Sequence, residues 1–140
     1  MNTIDSMVDV YWTNNKSKIN ANFAEVNQAY TVTTAATPAT GTCAVQFQFK
    51  DPTTGVNLTY PISGLCYSST STGLAINAIT SAATLTNGSI LALSTTSLWH
   101  FITDDTGRVG ITLTGAAGSK YITFIRPNGK LLTSTVLTIS

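Results

Sequence analysis

The single histidine, His100, is flanked by Trp99 and Phe101 in the stretch Ser97–Thr103. A histidine can act as a general base near neutral pH. The sequence sets no nucleophile beside it, so it is expected to be a packed or surface side chain. Asp104 and Asp105 are adjacent and run into Thr106-Gly107, and Asp51 opens a second loop, Asp51-Pro52-Thr53-Thr54-Gly55. Calcium takes about six to eight oxygen ligands, which two neighbouring carboxylates cannot supply. An Asp ahead of a turn glycine ordinarily accepts hydrogen bonds from its own turn, and that role is expected here. Cys43, Cys66 and His100 fall short of a four-ligand zinc site without carboxylates. The cysteines could pair, but a reducing compartment favours two small buried apolar groups. No metal and no cofactor are expected.

Asn57-Leu58-Thr59 and Asn87-Gly88-Ser89 match the glycosylation pattern. Met1–Val10 holds two acids and no base, unlike a secretory signal, so both matches read as chance in an Asn- and Thr-rich chain. The glycines fall singly at turns rather than in a phosphate-cradling loop, and no G-x-S-x-G elbow occurs. With no acid, base and nucleophile grouped together, an enzyme is not expected.

The residues with the strongest claim on function are apolar. Ile4, Met7, Val8 and Tyr11 recur at i, i+3, i+4 and i+7, one face of a short helix. Thr13-Asn14-Asn15 then suits the cap of a second helix, over about Asn14 to Gln28. On it Ile19, Phe23, Val26 and Tyr30 repeat at i, i+4, i+7 and i+11, with Lys, Asn and Glu on the other faces. A lone helix of this length is marginal in water and needs a surface for its stripe. That surface is either the chain's own body or a neighbouring subunit. The neighbour is favoured, because the stripe precedes a linker and a sandwich closes its own core. Trp12, Ile19, Phe23, Val26 and Tyr30 are therefore the candidate partner-docking residues.

The elements behind this segment are strands. Residues 31–41 (TVTTAATPATG) have no helical period, contain Pro38 and end in glycine, as an extended linker or edge segment would. From Thr42 the period becomes two: Cys43, Val45, Phe47 and Phe49 share one face, and Ala44, Gln46 and Gln48 the other. Further strands are expected over Val56–Tyr60, Gly64–Ser69, Leu74–Thr80, Ser89–Ser94, Ser97–Thr103, Val109–Thr114, Lys120–Arg126 and Leu131–Ile139. Turns fall at Thr84–Gly88 and Asp104–Gly107, and the Asn128-Gly129 pair is the strongest hairpin signal. So many short strands in succession predict a mainly β fold, an antiparallel sandwich with a short N-terminal helical segment. The expected organisation is a docking segment over 1–30, a linker over 31–41 and a sandwich over 42–140.

Charged residues make up only 9% of the chain, against roughly 25% in an average soluble domain, while the apolar fraction is 43%. The surface is thus expected to be built of Ser, Thr and Asn. Net charge is +1 and the seven Lys and Arg are scattered, which argues against nucleic acid as a partner. No run reaches the ~18–20 apolar residues of a membrane helix. Synthesis and folding in a cytoplasm are expected.

Two stretches carry a resemblance. Asp51–Leu58 (DPTTGVNL) and Thr103–Ile125 (TDDTGRVGITLTGAAGSKYITFI) together resemble bacterial Ig-like domains of the invasin and intimin kind, with Asp105, Gly107, Val109, Ile111, Leu113, Gly118, Tyr121 and Phe124 in analogous places. The likeness covers roughly Val45 to Ile139 and is weakest over Ser63–Ser94, where strand order is left open. Trp12–Val26 (WTNNKSKINANFAEV) resembles a segment near the start of many tailed-phage virion proteins. Together these resemblances imply a non-enzymatic virion structural protein with an Ig-like domain, most simply a capsid decoration. Its partners would be other capsid or tail subunits, in a homo-oligomer or symmetric array. The alternative they imply is a tail, collar or fibre accessory that binds a receptor or glycan, with Tyr60 and Tyr67 as the aromatic candidates.

Overall fold

The computed structural model describes residues 30–140. The expected N-terminal helices, with Trp12, Ile19, Phe23 and Val26, lie outside the described residues. Ten strands follow in chain order: β1 (Thr31–Ala39), β2 (Thr42–Lys50), β3 (Ser63–Ser69), β4 (Ser81–Thr84), β5 (Ser89–Ser94), β6 (Leu98–Ile102), β7 (Arg108–Thr114), β8 (Gly118–Ile125), β9 (Leu131–Thr133) and β10 (Leu137–Ile139). They form two antiparallel sheets. One has the order β1-β2-β7-β4; the other runs β10-β8-β3-β6-β5, with β9 also paired to β8.

The alternation read in β2 holds at every step: Cys43, Val45, Phe47 and Phe49 are fully buried and the residues between them are half-buried. Val109, Ile111 and Leu113 of β7 lie on the same inner face, opposite Cys66, Trp99, Phe101, Ile122 and Phe124 of the second sheet. The centre is aromatic. Phe49 stacks on Phe101 at 5.2 Å between centroids and meets Phe124 edge-on at 5.2 Å, and Phe47 meets Phe124 edge-on at 5.0 Å. Such pairs add to the burial of the rings themselves.

Of the two readings of residues 31–41, linker or edge segment, the edge holds: Thr31–Ala39 is strand β1, paired with β2 at nine successive positions. Its faces are Thr and Ala rather than alternating apolar and polar, because one side is exposed and the other is only partly covered. Pro38, which has no N–H to donate, is tolerated because the strand is an edge. Val56–Tyr60 forms no strand, only an isolated bridge from Asn57 to Lys50. Leu74–Thr80 likewise makes a single bridge, Ile76 to Ser69, and β4 begins at Ser81.

The closing strand is broken in two. Between the pairs Thr123↔Thr133 and Lys120↔Leu137, three steps along β8 are matched by four along its partner. The extra residue at 134–136 is a bulge, anchored where the Ser134 hydroxyl accepts the Ile122 N–H at 3.0 Å. Because side chains alternate with period two, only such a slip lets Leu132 and then Leu137 and Ile139 all turn toward the core.

Gly88 fixes the turn before β5. It has φ +62°, and a Cβ there would sit 2.3 Å from the Ile102 carbonyl oxygen, so no side chain fits. Asn128-Gly129 forms the β8–β9 hairpin as read: the Gly129 N–H donates to the Arg126 carbonyl at 2.8 Å, with Gly129 at φ +78°.

Candidate docking surface

Tyr30 does not extend the front stripe. It is 1% exposed, its ring meets Phe49 edge-on at 4.7 Å, and its hydroxyl donates a long bond of 3.5 Å to the Ile125 carbonyl. Burial, with a smaller contribution from Cys66, raises its pKa far above the usual tyrosine range, and Arg126 only partly offsets this. The expectation that Tyr30 docks a partner is therefore corrected. Its helical spacing from Val26 led the sequence reading to group it with residues 1–29, whereas its ring plugs one end of the sandwich.

The aspartates serve their turns. Asp104 Oδ1 accepts from the Thr106 N–H (2.9 Å), the Thr106 hydroxyl (2.7 Å) and the Arg108 N–H (2.9 Å), while Oδ2 accepts from the Asn87 amide at 2.9 Å. Partial desolvation pushes the Asp104 pKa up, but these donors together outweigh it and hold the carboxyl below the ordinary aspartate value. A depressed folded pKa adds stability above the unfolded value, and that stability is lost as pH falls through the folded one. The unfolding free energy is thus expected to decline with acid below about pH 4. Asp104→Asn should show a shallower decline in denaturant titrations run across that range. Asp51 Oδ1 accepts the Thr53 and Thr54 N–H groups at 2.8 Å, which lower its pKa. Among the described residues no three His, Cys, Asp or Glu side chains gather into a metal-sized cluster.

Cys43 and Cys66 are free and buried. Burial pushes the Cys66 thiol up to about 12 and also raises Cys43. Since the thiolate is the reactive form, Cys66 should resist an alkylating thiol reagent in the native state. It should label at the ordinary rate only in denaturant, which mass spectrometry of the modified chain would read.

Tyr60 and Tyr67 are not brought together. Tyr60 is exposed in the approach to β3, whereas Tyr67 is near the end of β3, beyond ~13 Å of strand from Ser63. The Tyr67 hydroxyl is engaged by the Gly73 carbonyl. Beside it, Leu74, Ala75, Ile76 and Leu98 complete a shallow apolar groove of about 280 Å³.

The larger feature is the contrast between the two outer faces. On the four-stranded sheet the outward positions pair Thr33 with Gln48, Gln48 with Arg108, Thr31 with Lys50 and Ala44 with Thr112. That surface carries hydroxyl, amide and cationic side chains, and the Gln48 amide donates to the Thr106 carbonyl at 2.9 Å. On the six-stranded sheet the register aligns one row across five strands: Leu91, His100, Leu65, Ile125 and Leu131. His100 is exposed there, with Trp99 and Phe101 turned inward, as the alternation implies. Leu91 is 65% exposed, Ile102 42%, and Leu74 and Ile76 on the overlying loop 81% and 63%. The outward positions of β3, β5, β6, β8 and β9 carry no Asp, Glu, Lys or Arg. Single exposed leucines are ordinary; here several neighbour one another around the exposed His100 imidazole, which makes this face a candidate for contact. Sequence reasoning missed it, because its members come from five strands whose neighbour relations only the sheet order reveals.

Comparison with protein-family models, with curated proteins and with solved structures gives no match for this chain.

Proposed function

We propose that this chain is a non-enzymatic structural subunit of a phage particle, an Ig-like domain carried by an N-terminal docking segment. The observation that carries the reading is the largely apolar outer face of the six-stranded sheet, whose outward positions hold no Asp, Glu, Lys or Arg, on a body with a continuous buried core among the described residues. A body of that kind gains by being covered within an assembly. The Ig-like assignment is supported by spatial strand order. β1-β2-β7-β4 and β10-β8-β3-β6-β5 follow the A-B-E-D and G-F-C-C′-C″ order of variable-type Ig sandwiches. Chain order departs from that plan between β3 and β7: β4 crosses sheets before β5 and β6, and the later of those two, β6, is the one beside β3.

Decoration of the shell is favoured over a receptor-binding accessory. The two tyrosines suited to glycan stacking lie apart, and the groove beside Tyr67 presents apolar walls rather than hydrogen-bonding groups. The mechanism is mechanical: area buried between shell subunits raises the free energy needed to separate them. Residues Trp12, Ile19, Phe23 and Val26 would supply the anchor. Quantitative mass spectrometry of purified particles tests this. The chain is expected at a fixed ratio to the main shell protein. Recovery only in the particle-free lysate would refute the role.

A further inference from the structure

We propose that the outer face of the six-stranded sheet pairs with the same face of a second copy of this chain, about a two-fold axis. This deepens the assembly role and rests on it only in that both require surface to be covered.

Three observations choose the occupant. The first is charge. The row Leu91–His100–Leu65–Ile125–Leu131 has no fixed charge, and neither do the outward positions around it. A partner bearing Lys or Glu at the contact would lose hydration with nothing to pair against. A second copy presents an equally uncharged surface, and two-fold pairing sets no like charges together. The chain's other sheet face, which bears Lys50, Arg108, Gln46 and Gln48, offers no such match.

The second is area. Leu74, Ile76, Leu91, Ile102 and Leu131 are between 38% and 81% exposed. Together with the half-buried outward residues between them they bring the face near the ~800 Å² per partner of a standard interface.

The third is the shape of the edge. β5 ends the sheet, but its pairing with β6 slips between Ala92 and Ser94, so the outermost strand is bulged. A bulged edge does not template another strand. Copies therefore meet face to face, through the exposed row and the loop that overlies it, rather than by adding strand to strand at the edge.

Sedimentation velocity of the full chain from micromolar to near-millimolar concentration tests the pairing. The expected result is a monomer–dimer equilibrium. Leu91→Lys and, separately, Ile102→Lys should weaken it by roughly tenfold or more, since each places an unpaired charge in the contact. Both side chains are exposed in the single chain, so the fold is retained, which the near-UV circular dichroism of buried Trp99 checks. Thr112→Lys, on the opposite sheet, should leave the equilibrium unchanged. A monomer throughout the range overturns the proposal, and so does a dimer indifferent to both lysine variants, as it would be if residues 1–29 held it. Neither result concerns uptake by particles, so the assembly role is judged separately.

Discussion

Phe49→Ala is expected to cost the sandwich about 3–5 kcal/mol of folding free energy. Phe49 is fully buried and touches three other rings: Tyr30 at 4.7 Å, and Phe101 and Phe124 each at 5.2 Å between centroids. Truncation removes the transfer free energy of the ring and leaves a cavity walled by side chains from β1's entry, β6 and β8. These belong to both sheets and are held by backbone ladders, so the walls cannot collapse to fill the space. A domain of this size has only about 5–15 kcal/mol of stability in all, so the loss is a large share of it. Urea denaturation followed by Trp99 fluorescence should show a lower midpoint with an unchanged slope. A cost below about 1 kcal/mol would mean that the aromatic cluster does not hold the sheets together.

The second large effect is on assembly. Phe23→Asp is expected to abolish incorporation into particles while leaving the sandwich folded. Phe23 lies outside the described residues, so the expectation rests on its place in the Ile19–Phe23–Val26 spacing and on the resemblance of Trp12–Val26 to virion segments. Each large apolar side chain contributes about 1.5–3 kcal/mol when buried at a partner. Aspartate in the middle of the stripe loses that contribution and adds the cost of an unpaired buried charge. Affinity should fall roughly a hundredfold or more. The urea midpoint should stay within about 0.5 kcal/mol of the parent value, because the core cluster described for the sandwich is assembled from side chains between Tyr30 and Ile139.

Much of the body was legible because its signals are local. Thr42–Lys50 and Ser89–Ser94 are strands with the expected bounds, and the inward and outward residues of β2 and β6 follow directly from alternation. The Asn128-Gly129 hairpin and the Asp51 and Asp104 turns were readable for the same reason: each is made by side chains within a few residues of one another. What escaped was decided at a distance. β1 reads equally as linker or edge segment because its Thr and Ala residues carry no pattern, and the full ladder offered by β2 decides for the edge. Tyr30 carries a helical spacing, yet its ring is claimed by Phe49 and Ile125 from far along the chain. The split between β9 and β10 depends on which face of β8 its partners must share. The apolar outer face is the same case at larger scale: Leu65, Leu91, His100 and Ile125 are unremarkable singly and become a surface only once β3, β5, β6 and β8 are neighbours.

Saturation binding of the purified full chain to particles grown without it tests the assembly role most directly. Binding should level off at a fixed number of copies per particle, and Phe23→Asp chain added at the same concentration should stay in the supernatant. If the parent chain fails to bind, or if Phe23→Asp binds as well as the parent, the docking account is contradicted.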